Sequence, residues 1–163
     1  MHTPRSSGTF RRRHYHRAAQ LWADLRRLAA LRGTGTLAPA RRERLMLVVT
    51  AVNRCRYCVS FHTHVAQLSG LSAAEVALLL DGSTQDAPES EIPALVYARH
   101  WAEAAGQPTP ELQAKLVAIY GPAQAQAIER VLTMIWIGNL CGNTWDAILF
   151  RFSGGRLGQR REG

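Results

Sequence analysis

Two cysteines and a histidine lie close together in the stretch VNRCRYCVSFHTH, which spans residues 52–64. Cys55 and Cys58 are three residues apart, and His62 follows Cys58 by four. Residues four apart share a helical face, so Cys58 and His62 are neighbours if this stretch is a helix. If the helix begins near Cys55, both sulfurs lie at its amino end, where free backbone N–H groups and the helix dipole stabilise a thiolate.

A thiolate beside a second thiol can carry out redox chemistry. The thiolate attacks an electrophilic oxygen or sulfur atom, and the second thiol then closes a disulfide. His62 can relay the proton, because the pKa of a histidine lies near neutral pH. A hydroperoxide is the simplest electrophile that needs these groups.

Two alternatives from other functional classes use the same residues. Cys55, Cys58 and His62 could supply three ligands to a structural zinc ion, with His64 or Cys141 as the fourth. Zinc sites of this kind usually have a second, distant Cys pair, which this sequence lacks, and a helical core of this size needs no metal to hold it together. The other alternative is a nucleic-acid-binding module in which the Cys pair senses the redox state.

Positive charge is concentrated in the first quarter of the chain. The 163-residue chain has a net charge of +8, and residues 1–44 carry +9 because they hold 11 arginines against Asp24 and Glu43. Such a segment could attract nucleic acid, an anionic membrane or an acidic partner. It has no interleaved lysines and aromatic residues and no known nucleic-acid motif, so a solvated basic arm is favoured and nucleic-acid binding is not expected.

The composition is that of an ordinary globular domain, with 47% hydrophobic and 20% charged residues. A chain of this length fits one domain with a substantial core. No segment resembles a secretory signal, and the most apolar stretch, residues 131–150, has too short an unbroken apolar run to span a bilayer. Three cysteines without an export signal indicate a reducing compartment, so we expect a cytoplasmic protein.

Helices must position these residues, because apolar side chains recur at helical spacing and no alternating strand pattern is found. Capping residues, glycines and prolines divide the chain into seven predicted helical segments. These segments are 14–31, 39–53, 59–70, 72–82, 94–106, 110–120 and 122–152. The sequence therefore predicts an all-α, single-domain bundle of six or seven helices at residues 13–152. We expect a disordered basic arm at 1–12 and a flexible tail at 153–163.

The motif E-x11-C-x-x-C-x3-H, with an Asn shortly before the first Cys, resembles the alkylhydroperoxidase D-like group of the carboxymuconolactone decarboxylase superfamily. In this chain the motif is formed by Glu43, Asn53, Cys55, Cys58 and His62, followed by Ala66 and Gly70 in an A-x3-G ending. The segment LSAAEVALLL and the last helix, with IGNLCGNTWDAIL, are also similar to helices of that group. The resemblance covers roughly residues 40–150.

This resemblance implies a helical homotrimer or homohexamer that reduces hydroperoxides without a metal or other cofactor. By analogy, Cys58 is the peroxidatic cysteine, and Cys55, expected to be the more exposed, resolves its sulfenic acid to a disulfide. His62 and Glu43 form a proton relay, and a dithiol or lipoyl-type protein is the reductant. Decarboxylases of the superfamily generally lack the Cys pair, which argues against lactone decarboxylation.

Two positions of the motif need separate interpretation. The best-known peroxidases of the group can carry a His immediately before the second Cys, where this chain has Tyr57. One possible relay partner is therefore missing. The role of Glu43 rests on the resemblance, since helical spacing alone does not bring it to the cysteines. From the residues alone, Glu43 could instead pair with a neighbouring arginine, Arg41, Arg42 or Arg44, on a solvated face.

Other side chains of possible interest have simpler interpretations. Cys141 lies in the apolar last helix and is predicted to be a buried, inert thiol. His64 is predicted to lie at the surface or at an interface. Asp146 and Asn143 need partners in that helix, and Arg130 and Arg99 are candidates. The last helix is apolar on most sides, including both of its tryptophans, which predicts burial against other subunits.

Overall fold

The structure, a computed structural model, describes residues 37–158, and the regular elements in this range are all helical. They are α1 (Pro39–Asn53), α2 (Arg56–Leu68), α3 (Ala73–Asp81), a 3-10 helix (Glu89–Glu91), α4 (Ile92–Glu103) and α5 (Pro110–Phe152). The predicted all-α class is confirmed. The predicted helix at 14–31 and the basic arm at 1–12 lie outside the described residues, as does the end of the tail from residue 159.

Six of the seven predicted segments fall within the described residues, and they form five α-helices because α5 contains two of them. Gly121 interrupts α5 with φ 75 and ψ 163, a backbone conformation that is essentially restricted to glycine. Pro122 then starts the second stretch, where its fixed φ suits the first turn of a helix. The predicted break between residues 120 and 122 is confirmed, although the two stretches form one kinked element.

Helix α1 is the central element and packs against the other four α-helices. Its apolar run LMLVV, residues 45–49, is at most 3% exposed. A helix that is apolar on all sides must be buried, and each such side chain stabilises the fold by roughly 1.5–3 kcal/mol. Glu43 lies buried just before this run and the partly buried Asn53 closes the helix, so α1 holds both at fixed positions.

A two-residue connection between α1 and α2 sets the position of the cysteines. Arg54 ends α1 in the left-handed conformation, with φ 52 and its N–H bonded to the Thr50 carbonyl at 2.8 Å. Cys55 is extended and is the N-cap of α2. Because the connection is so short, α2 turns back along α1, and His62 comes to lie beside Glu43.

The second half of α5 packs against α1 and α2. The inner face of this half carries Asn139, Gly142 and Asp146, spaced by three and four residues so that they lie on one side of the helix. One turn earlier, Trp136 packs edge-on against Trp101 of α4, with ring centroids 5.7 Å apart. These contacts fix the register of α5 over the start of α2.

The opposite face of the end of α5 is exposed in the single chain, so the predicted burial of this helix against other subunits stays a prediction. Trp145, Ile148 and Phe152 are all exposed, and so is Cys141. The prediction of a buried Cys141 is therefore wrong for the single chain. The reason is helical geometry, since turning Asn139 and Gly142 inward turns Cys141 outward. No helix in the described part of the chain is long and apolar enough to cross a membrane.

Candidate active site

Cys55 is the N-cap of α2 and Cys58 lies in its first turn, because the helix begins at Arg56, three residues before the predicted segment 59–70. The Cys55 sulfur accepts a hydrogen bond from the Cys58 backbone N–H, with an N···S distance of 3.4 Å, and so caps the helix. Cys55 is 0% exposed, whereas Cys58 is only partly buried. The expectation that Cys55 is the more exposed cysteine is wrong, because the backbone of α5 passes directly over its sulfur.

Gly142 makes this close approach of α5 possible. A Cβ atom added at Gly142 would lie 2.6 Å from the Cys55 sulfur and 3.5 Å from the Cys58 sulfur. A Cβ atom does not come within 2.6 Å of a sulfur atom, so only glycine, which has no Cβ, fits at residue 142 with this packing. The sequence offered one signal that was not used. Glycine inside a helix costs about 1 kcal/mol relative to alanine, so its presence there calls for a packing reason.

The two thiols titrate as a pair. A hydrogen bond from the Cys58 side chain lowers the pKa of Cys55 to about 7, and the backbone N–H groups of Tyr57 and Cys58 act in the same direction against the effect of burial. The same hydrogen bond, together with burial, raises the pKa of Cys58. The stabilised thiolate that the sequence predicts at the helix amino end is therefore centred on Cys55.

Glu43 pairs with His62 across the interface between α1 and α2. The His62 Nδ1 atom lies 2.8 Å from Oε2 of Glu43, and the other carboxylate oxygen lies 3.7 Å from Nε of Arg42. Glu43 is 2% exposed. The alternative in which Glu43 lies on a solvated face is therefore wrong, although Arg42 does contribute an ion pair. A carboxylate at Nδ1 orients the imidazole ring and makes Nε2 the nitrogen that can exchange a proton.

Asn139 is a residue of this site that the sequence analysis did not identify. It is fully buried, its Nδ2 donates to the Thr50 hydroxyl at 3.2 Å, and its Oδ1 accepts from Asn53 Nδ2 at 2.9 Å. A hydrogen bond from the Asn139 side chain also acts to lower the pKa of Cys58, against the larger raising effect of Cys55. The available signal was a buried amide in an apolar helix, which requires partners.

Arg56, Tyr57 and Asp146 form a second polar group, here called the Asp146 cluster, beside Cys55. The Arg56 guanidinium lies 2.6 Å from the Asp146 carboxylate, and the Tyr57 hydroxyl donates to the same oxygen at 3.1 Å. The guanidinium also donates to the Tyr57 hydroxyl at 2.7 Å and stacks over the Tyr57 ring. The cluster joins the start of α2 to α5.

The predicted partners of the polar residues in α5 are wrong. Asp146 binds Arg56 and Tyr57, and the Asn143 amide donates to the Asn53 carbonyl at 2.9 Å. The inner face of α5 meets α1 and the start of α2, and these elements supply the partners. Arg130 instead donates to Gln126, and Arg99 donates to the Gly82 carbonyl.

The geometry gives no support to the zinc alternative. Within residues 37–158, no group of three or more His, Cys, Asp or Glu side chains is arranged to hold a metal ion. His64, one proposed fourth ligand, is exposed, as expected for a surface residue. It lies two residues after His62 and therefore on a different side of α2.

Comparison with known proteins places the chain in a family. The model of the carboxymuconolactone decarboxylase family matches residues 17–104, just over half of the 163 residues. The matched range contains Glu43, Cys55, Cys58 and His62 and ends before α5. No curated protein and no solved structure matches the chain. By the family match, which its helical fold supports, the chain belongs to the carboxymuconolactone decarboxylase family.

Proposed function

We propose that this protein is a thiol peroxidase that reduces hydroperoxides through a dithiol–disulfide cycle of Cys55 and Cys58. The main support is the hydrogen-bonded Cys pair at the amino end of α2, with the pair of His62 and Glu43 on the next turn of the same helix and on α1. The resemblance of the motif to the alkylhydroperoxidase D-like group points to the same chemistry.

Access favours Cys58 as the sulfur that attacks the peroxide, because Cys58 is partly exposed and Cys55 is fully buried. As Cys58 attacks, its thiol proton passes along the hydrogen bond to the Cys55 thiolate. The new S–O bond forms while the O–O bond breaks, so Cys58 is oxidised to a sulfenic acid. The leaving alkoxide takes a proton from protonated His62, oriented by Glu43, and departs as an alcohol.

Cys55 then resolves the sulfenic acid. Its sulfur bonds to the Cys58 sulfur as the S–O bond breaks, and the hydroxyl group leaves with the Cys55 proton as water. The sum of both steps converts two thiols and a hydroperoxide into a disulfide, an alcohol and water. A dithiol, such as a dithiol protein or a lipoyl-type group, would reduce the disulfide, and a reducing compartment such as the cytoplasm would supply it. The cycle needs no metal or other cofactor, and a homotrimer or homohexamer is the expected assembly.

The test is a peroxidase assay on purified, reduced protein with hydrogen peroxide and with an organic hydroperoxide, in the presence of several dithiols. We expect a small excess of hydroperoxide to remove two thiols per chain, and Cys58→Ser to abolish this loss. His62→Ala should slow turnover without unfolding the chain. Cys141→Ser is the matched control, because Cys141 is an exposed thiol outside the Cys pair.

Two results would contradict the proposal. One is peroxide reduction that persists at the wild-type rate in Cys58→Ser. The other is stoichiometric zinc bound at the Cys pair of the purified protein, since a thiolate held by zinc would serve a structural site.

A further inference from the structure

We propose that the Asp146 cluster directs thiol–disulfide exchange with the reductant to Cys58 and keeps Cys55 as an internal sulfur that never bonds to the partner. This inference rests on the proposed function, because it concerns the disulfide formed in that cycle. It makes Arg56, Tyr57 and Asp146 positioning residues that determine which sulfur is attacked.

Burial separates the two sulfurs. Cys55 is 0% exposed, and the α5 backbone at Gly142 leaves no room for even one added carbon beside its sulfur. Cys58 is partly exposed on the next turn. An incoming thiolate must approach the sulfur that it attacks, and accessibility therefore selects Cys58.

The Asp146 cluster closes the gap between α2 and α5 at the position of Cys55. Arg56 and Tyr57 follow Cys55 directly in sequence, and both reach across to the buried Asp146 carboxylate, at 2.6 Å and 3.1 Å. The Tyr57 ring also lies against α5, since its Cδ2 atom is 3.9 Å from the Cβ position of Gly142. Separating α2 from α5 here would require breaking an ion pair and a hydrogen bond.

The chemistry of exchange agrees with this division. The reductant thiolate bonds to the Cys58 sulfur as the Cys55–Cys58 bond breaks, and Cys55 takes the electron pair as a thiolate. The second thiol of the reductant then attacks the reductant's own sulfur in the mixed disulfide, which releases Cys58 and leaves the reductant oxidised. A thiol with a lowered pKa is the better leaving group, and the backbone N–H groups of Cys58 and Tyr57, which do not depend on the Cys58 thiol, act to lower the pKa of Cys55.

The test measures the rate at which each sulfur forms a mixed disulfide with excess glutathione disulfide. Intact-protein mass spectrometry detects the mixed disulfide as it forms. In a Cys141→Ser background, Cys55→Ser leaves Cys58 alone and Cys58→Ser leaves Cys55 alone. We expect Cys58 to react about 10-fold faster or more, although a lowered pKa would otherwise favour Cys55. Equal rates, or faster reaction of Cys55, would overturn the proposal.

The role of the Asp146 cluster is tested in both backgrounds, because a positioning role predicts a faster reaction at Cys55 and no change at Cys58. Arg56→Gln and Tyr57→Ala should each raise the rate at Cys55 several-fold, and Arg56→Lys should restore part of the protection. Arg151→Gln is the matched control, because Arg151 is an exposed arginine of α5 outside the cluster. A variant that merely loosened the fold would accelerate both sulfurs equally, and that result would count against a positioning role.

These experiments need no peroxide, so the two proposals can fail separately. Selective reaction at Cys58 in a protein that does not reduce hydroperoxides would contradict the proposed peroxidase function and support the proposal that the Asp146 cluster directs exchange to Cys58. Peroxide reduction with unselective mixed-disulfide formation would do the reverse.

Discussion

Glu43 carries a charge that can be removed with little change of shape. Its carboxylate oxygen Oε2 lies 2.8 Å from His62 Nδ1 in the core. We predict that Glu43→Gln lowers kcat/KM for hydroperoxide by roughly 10-fold, because a neutral amide stabilises a protonated imidazole less well and acid–base steps contribute about 10²–10⁴-fold. The assay follows hydroperoxide consumption with a dithiol reductant.

The matched control for the charge change is Glu89→Gln, which alters an exposed carboxylate of the 3-10 helix. It should leave kcat/KM unchanged. If Glu43→Gln retains wild-type turnover while urea unfolding shows it to be folded, the carboxylate has no part in the relay.

The thiolate of Cys55 links stability to pH. Its pKa falls from the ordinary 9.0 to about 7 in the folded state. Between these values the folded chain has lost the proton that the unfolded chain still binds, so stability contributed by Cys55 rises with pH and is lost as pH falls through about 7. Above pH 9.0 the raised pKa of Cys58 acts in the opposite direction, because the unfolded thiol ionises first.

We therefore predict that the reduced wild type gains free energy of unfolding relative to Cys55→Ser as pH rises from about 7 to about 9. Urea unfolding across this range under reducing conditions measures the difference. Ultraviolet absorbance of the thiolate should show one thiol per chain ionising near the lower pH. The opposite result is a difference in unfolding free energy between wild type and Cys55→Ser that does not change with pH, with no thiolate forming below the ordinary cysteine pKa. It would mean that the helix amino end does not stabilise the Cys55 anion.

At the scale of elements, Gly138 and Gly142 lie on the same helix, and replacing each with alanine should change the free energy of unfolding in opposite directions. A Cβ at Gly142 would meet the Cys55 sulfur at 2.6 Å, whereas nothing lies within 4 Å of a Cβ at Gly138. Gly142→Ala should lower the free energy of unfolding by about 1–3 kcal/mol through overpacking. Gly138→Ala should raise it by about 0.5–1 kcal/mol, because alanine is the better helix former.

Urea unfolding of both variants tests this pair directly. Gly142→Ala should also change the rate at which the cysteines react with alkylating agents, since α5 must shift away from the Cys55 sulfur. If both alanines stabilise the chain equally, α5 does not pass as close to Cys55 as the structure has it.

Spacing within an element was readable from the sequence, while contacts between elements were not. The helical period places Cys58 and His62 on one face, and Gly121 with Pro122 marks the break in α5. Which cysteine is buried depends on α5, which is distant in sequence from both. The pairing of Glu43 with His62 likewise joins two helices, so the sequence suggested it only through the family resemblance.

The inner face of α5 was partly visible in the sequence. Asn143 and Asp146 stood out as polar residues in an apolar helix, but their partners could not be assigned without the packing angle of α5. Helical periodicity shows which residues share a face of a helix. When two opposite faces are both apolar, it does not show which of them packs against the core. This is why Cys141 was expected inside and lies outside.

At the scale of the whole molecule, one face of the described chain lacks the polarity of an ordinary surface. Trp145, Ile148 and Phe152 are 56%, 41% and 84% exposed, and with Cys141 they form a stripe spaced by four, three and four residues along α5. This spacing is that of a helix seam, and contiguous exposed apolar residues of this kind mark association surfaces. The homotrimer or homohexamer implied by the family resemblance would bury such a stripe.

We predict that the wild type sediments as an oligomer and that Trp145→Glu weakens self-association about 10-fold or more, since an unpaired buried charge costs several kcal/mol. Analytical ultracentrifugation over a range of protein concentrations measures the change. Leu68→Glu is the matched control, because Leu68 is 75% exposed at the end of α2 and lies outside the stripe. A wild type that remains monomeric, or an equal loss of association in both variants, would show that the stripe on α5 does not bind a second copy of the chain.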